Sequence, residues 1–139
     1  MKKKGWILVL AFAAGAILFL NTPERRTKGY FRIHQEELTQ AVSRWQRGEE
    51  LSFDPWLTVN IWSGEHDIVE YIVVSRGIVT SSSYYGFFYS PDGVPVSFQN
   101  SGEELERLGQ YEWRWQGEGD NRGYIELILP NWYYFEASL

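Results

Sequence analysis

The period of the hydrophobic positions changes twice along this chain, and each change marks an element. From Trp6 to Leu20 there is no period at all. WILVLAFAAGAILFL carries no charged or strongly polar side chain over fifteen residues. As a helix this run is ~22 Å long at 1.5 Å per residue, whereas a bilayer core is ~30 Å thick. That length suits the apolar part of a signal peptide. However, no small-x-small pair follows the run: Ala14 and Ala16 lie inside it, and Asn21-Thr22-Pro23 comes next. Gly5, Asn21 and Thr22 can lengthen the helix, and Lys4 can reach back to the interface. The expectation is an uncleaved signal anchor or transmembrane segment over residues 1–22. Lys2, Lys3 and Lys4 then stay in the cytoplasm. A secreted protein with a cleaved signal is the alternative.

Residues 23–29 are polar, begin with Pro23 and read as a linker. A helical period then appears. Leu38, Ala41, Val42 and Trp45 stand at i, i+3, i+4 and i+7, one apolar stripe of a helix over 34–47. Glu36 and Glu37 precede Arg44 and Arg47, an order that suits the helix dipole, and Gly48 is a natural stop.

Beyond Gly48 the period becomes two. Strands are expected at 57–62, at 68–75 with a possible run to Thr80, at 84–89, 94–98, 111–116, 124–129 and 132–137. Ser90-Pro91-Asp92-Gly93 has turn chemistry, which would make 94–98 the hairpin partner of 84–89. Pro95 would place that partner at an edge. Residues 103–108 read as a single helical turn. Short connections favour antiparallel pairing. The fold class is therefore α+β: one amphipathic helix on a curved antiparallel sheet of about six strands, residues 30–139, with a small β-barrel as the alternative.

Charge narrows the function. Lys2, Lys3 and Lys4 are three of the thirteen basic residues and no acidic residue precedes Glu24. The remainder therefore sets ten basic residues against eighteen acidic ones, a balance of −8 against −5 for the whole chain. This excludes nucleic acid as an expected partner and argues against docking of the domain on anionic lipid. Without cysteine, disulfides, thiolate metal sites and a cysteine nucleophile are excluded. No cofactor is implied.

Candidate chemistry is sparse. Glu65-His66-Asp67 reads as a polar turn, because adjacent residues diverge. Ser81-Ser82-Ser83 lacks a nucleophile context and reads as a loop. Residues 117–123 lack calcium-loop spacing and read as a hairpin turn. Glu112 and Glu126 on neighbouring strands, with Glu70 and Glu136, allow a glycosidase-like carboxylate pair, but outward-facing Glu on a half-wet sheet is commonplace.

Aromatic residues, 17% of the chain, carry the functional expectation. On each aromatic strand one set of side chains goes to the core. The other set is either covered, by the helix on one face and loops on the other, or exposed as a platform. The candidate partner- or ligand-binding residues are Trp62, Trp113, Trp115, Trp132 and Tyr134. The leading expectation is a membrane-anchored, extracytoplasmic, non-catalytic protein-interaction domain. It would touch the bilayer through Trp6–Leu20 and another envelope or surface protein through an aromatic or acidic face. A cell-wall polysaccharide-binding module and an extracellular hydrolase are the alternatives.

Overall fold

A computed structural model describes residues 2–51, 56–78 and 80–139, with side chains of the first helix from Trp6 to Leu18. Helix α1 is Lys2–Leu20 and helix α2 is Pro23–Gln46. The expected linker is thus helical. Thr22 is extended and its hydroxyl accepts from the Arg25 N–H at 3.3 Å, Pro23 takes the first helical turn and Glu24 follows. A capping hydroxyl, an N-terminal proline and an early acid together start a helix. Pro23 is a beginning rather than a break. At the other end Gly48, at φ +83°, donates to the Trp45 carbonyl at 2.9 Å.

The strands are β1 (Thr58–Trp62), β2 (Ile68–Ile78), β3 (Ser81–Tyr89), β4 (Glu106–Arg107), β5 (Glu112–Gln116), β6 (Arg122–Leu129) and β7 (Trp132–Ser138). They form one antiparallel sheet in the order β1-β2-β3-β7-β6-β5-β4. The sheet ends on β1 and β4 and is not closed into a barrel. Its seven strands among the described residues correct three local expectations. Residues 94–98 are not a strand: β3 pairs with β7 instead. The span 103–108 supplies the two-residue β4 rather than a helical turn. Ser81–Ser83 belong to β3, not to a loop.

Both faces of the sheet are covered, because the central strands are aromatic on both. On one face Phe31, Leu38, Ala41 and Val42 of α2 pack with Leu51, Val69, Tyr71, Phe87 and Trp132. On the other, Ile68, Ile72, Phe88, Trp115, Ile125, Tyr133, Phe135 and Ala137 are sealed by Val96 and Phe98. Pro95 has no N–H to give a ladder, so residues 94–98 lie across the sheet as a lid. Phe98 sits 5.1 Å from Tyr84 and 5.4 Å from Phe135, ring to ring.

One buried carboxylate pins this lid. Glu70 is 1% exposed. It accepts hydrogen bonds from Trp62 Nε1 at 3.0 Å, Asn60 Nδ2 at 3.5 Å and the Gln99 N–H at 3.0 Å. Gln99 and Asn100 stand at φ +56° and +54°, an uncommon conformation for side-chain-bearing residues, and Asn100 Nδ2 donates to the His66 carbonyl at 2.8 Å. Burial raises the Glu70 pKa, and the three donors oppose that shift without cancelling it.

Two outcomes follow from this packing. Val42→Asp should cost ~3 kcal/mol or more in a denaturant melt, since an unpaired charge would be buried. Gln40→Asp, on the exposed face of α2, should change little. The second concerns pH. A group whose folded pKa is raised stabilises the fold below its unfolded value and loses that contribution as pH rises through the folded value. The stability advantage of the wild type over Glu70→Gln should therefore be larger near about pH 4 than near about pH 7. An advantage independent of pH would contradict the raised pKa.

Candidate functional site

Cross-strand rows on the α2 face show where the apolar surface stops. One row runs Val59, Tyr71, Phe87, Tyr134, Glu126, Glu112 from β1 to β5. Its first half lies under α2. Its second half is polar, and Lys28 marks the change. The Lys28 ammonium lies 4.8 Å from the centre of the Tyr134 ring and donates to Glu126 Oε2 at 2.7 Å and Glu24 Oε1 at 2.8 Å. Burial works against its charge, but the two carboxylates win and its pKa is raised.

The next row is Val74, Tyr85, Glu136, Tyr124, Arg114, Glu106, and the one after it is Arg76, Ser83, Ser138, Arg122, Gln116. Beyond the reach of α2 these rows floor an open cleft of about 760 Å³, edged by Glu104. Tyr124 lines it. Its hydroxyl donates to Glu112 Oε1 at 2.6 Å and lies 3.3 Å from Glu126 Oε2. Burial, and then the neighbouring carboxylates, push its pKa well above the tyrosine range. Tyr134 donates to Glu136 Oε1 at 2.8 Å. Arg114 grips Glu106 through two nitrogens, at 2.6 and 2.9 Å, and holds that carboxylate below its usual range. Arg122 and Glu104 make no ion pair or side-chain hydrogen bond among the described residues. Among the described residues the cleft thus offers the Arg122 cation, the Glu104 anion, the Gln116 amide and the Ser138 hydroxyl.

The five aromatic candidates do not converge on a surface. Trp115 is 4%, Trp132 3% and Tyr134 0% exposed. Trp132 is caged by Phe31, Phe87 and Tyr89, with ring centres 5.1, 5.9 and 5.0 Å away. The Trp115 indole lies over Gly123, where a side chain would collide with it, and its Nε1 is buried with no hydrogen-bond partner among the described residues. Trp62 and Trp113 are part-buried. Trp62 is tied to Glu70, and Trp113 meets Tyr133 edge-on at 6.0 Å. All five serve packing, because water-exposed indole area is costly and two covered faces have room for it.

The carboxylate pairing is partly realised. Glu112 and Glu126 are direct cross-strand partners, joined through Tyr124. Glu136 lies one row away on the same face, while Glu70 points to the opposite face. The histidines stay apart from the cleft: His66 Nδ1 is 3.0 Å from Asp92, and His34 stacks on Tyr30 at 4.2 Å. Among the described residues no three His, Cys, Asp or Glu side chains are grouped as metal ligands. Arg114, Gln116, Arg122 and Tyr124 were missed as site residues. Their signal is the polar set at period two in β5 and β6, which reads as an ordinary wet face until the register aligns it.

The tyrosines give a spectroscopic check. Tyr71, Tyr124, Tyr133 and Tyr134 all have raised pKa values, with burial as the largest cause. Their protonated forms stabilise the fold up to the ordinary tyrosine range, at about 10, and that contribution is lost above it. Alkaline absorbance titration should show a late group of tyrosines that ionises only as the domain unfolds. Tyr124→Phe should remove one tyrosine from the late group. Loss from the early group instead would place Tyr124 in water.

Compared with protein-family models, with curated proteins and with solved structures, the chain matches none.

Proposed function

We propose that this chain is a membrane-anchored, non-catalytic binding domain held outside the cytoplasm, and that its cleft takes a polar segment of another envelope protein. The observation that carries the anchor is the state of α1. From Trp6 to Leu18 its side chains are apolar on every side and mostly uncovered by the domain: Trp6 is 71%, Leu8 72%, Phe12 83% and Leu18 74% exposed. A helix hydrophobic all round needs a non-aqueous surrounding. No single helix among the described residues is long and apolar enough to cross a membrane by itself; α1 and α2 pass that test only together, bent by 64°.

The binding reading rests on the cleft. Arg122 and Glu104 are charges of opposite sign without partners among the described residues, beside open amide and hydroxyl groups, a set that complements peptide backbone and charged side chains. The Glu112 and Glu126 carboxylates are held by Tyr124 and Lys28, so they serve the framework in this reading rather than acid–base chemistry. A glycan reading would need a stacking platform, whereas Trp115 and Trp132 are in the cores and Trp62 and Trp113 are part-buried against one of them.

The two parts are tested in intact cells. Full-length protein should stay in the membrane pellet after an alkaline carbonate wash, and a variant without residues 6–20 should not. A photoreactive residue at Gln116 should give a discrete protein adduct that Arg122→Glu abolishes and Arg47→Glu leaves intact. An adduct insensitive to Arg122→Glu would remove the cleft from the proposal, and a deletion variant that still pellets would remove the anchor.

A further inference from the structure

We infer that the first three turns of α2 form a second membrane contact, with Arg26 and Arg32 on anionic lipid head groups and Ile33 in the interfacial layer. The inference rests on the anchor reading of α1. Three separate observations lead to it.

The first is the shape of the exposed face. Opposite the buried stripe of Thr27, Phe31, Leu38 and Val42, α2 shows Arg25, Arg26, Arg32 and Ile33, then Glu36 and Glu37. Ile33 is 79% exposed. Arg26 and Arg32 make no side-chain hydrogen bond or ion pair among the described residues. Glu24, the only acid among the first ten residues of the helix, is engaged by Lys28 at 2.8 Å. Cationic residues therefore gather at the end next to α1, and acids begin further along. The overall acidic balance conceals this local reversal.

The second is the bend. With α1 along the membrane normal, a 64° bend lifts α2 by only about 0.7 Å per residue. Arg32 then lies about 6 Å above the junction, inside one Debye length of about 8 Å. Glu37 lies about 9 Å up, just beyond it. The charge segregation matches the height.

The third is the length of α1. Its apolar run falls ~8 Å short of a bilayer core. Such a mismatch is relieved when the bilayer thins and flanking residues are drawn to the interface, and the flanking residues here are the start of α2. Lysine or arginine near an anionic surface adds to the attraction, and an apolar residue between them inserts.

The chain has no cysteine, so single spin labels report depth without background. Full-length protein carrying Ala13→Cys, Ile33→Cys or Arg47→Cys would be reconstituted into phosphatidylcholine vesicles with and without phosphatidylglycerol. Collision with oxygen and with a water-soluble nickel complex would then be compared. The expected result is protection from nickel at 13 and at 33, none at 47, and a several-fold loss of protection at 33 when Arg26→Glu and Arg32→Glu are combined or phosphatidylglycerol is omitted. Position 33 as accessible as 47, with 13 protected, overturns the inference and leaves the anchor standing. Accessibility at 13 as well overturns the anchor and the inference with it. Unchanged circular dichroism of the charge-reversed variant shows that the fold is retained.

Discussion

Aromatic side chains on both faces of the central strands impose the constraint from which the rest of the architecture follows. β3 buries Phe87 on one face and Phe88 on the other, and β7 buries Trp132 and Tyr134 on one face and Tyr133 and Phe135 on the other. An antiparallel sheet ordinarily leaves one face to water. Here that would expose several hundred Å² of ring surface, so two covers are needed. A helix provides one. The other comes from a segment that Pro95 keeps out of the ladder. A lid without ladder bonds must be held by side chains, and the buried Glu70 supplies the hold by accepting from the lid backbone and from β1. The cost of burying a carboxylate is offset by three donors and by the apolar area that the lid seals.

The same constraint sets the place of the cleft. α2 covers its face only as far as Lys28, where a cation sits over one ring and turns the surface polar. Beyond that point the chain leaves the sheet as α1. The uncovered rows on β5, β6 and β7 are polar because nothing lies over them. The exposed apolar helix α1 and the cleft are therefore consequences of one event, the departure of the helix from the sheet, and they lie at the same end of α2.

Much of the fold was legible. Period two located most strands, and the opposed faces of β3 and β7 could be assigned by alternation alone. The amphipathic stripe of Leu38, Ala41 and Val42 identified the packing face of α2. What was not legible depended on long-range pairing. Whether β3 would meet residues 94–98 or β7 is a choice between two hydrophobic partners, and local turn chemistry pointed to the nearer one. The outcome was settled by the four buried aromatics of β7, which outweigh a five-residue segment lacking one N–H. Pro23 was ambiguous for a related reason: proline ends helices and also begins them, and only the Thr22 and Glu24 neighbours decide. The cleft was least legible, since Arg114, Tyr124 and Glu136 lie on three strands and become one row only through the register.

The aromatic composition admits two readings. A chain rich in Trp and Tyr invites the idea of an exposed stacking platform. Each ring left in water forgoes a large burial term, however, and a sheet with two covers can accommodate nearly all of them. The residues that remain free to recognise something are those that packing does not claim. Among the described residues they include the period-two polar positions beyond Lys28 and Arg26 and Arg32 on the outer face of α2. Both sets stand next to the junction with α1, where the helix leaves the sheet and packing no longer claims the side chains.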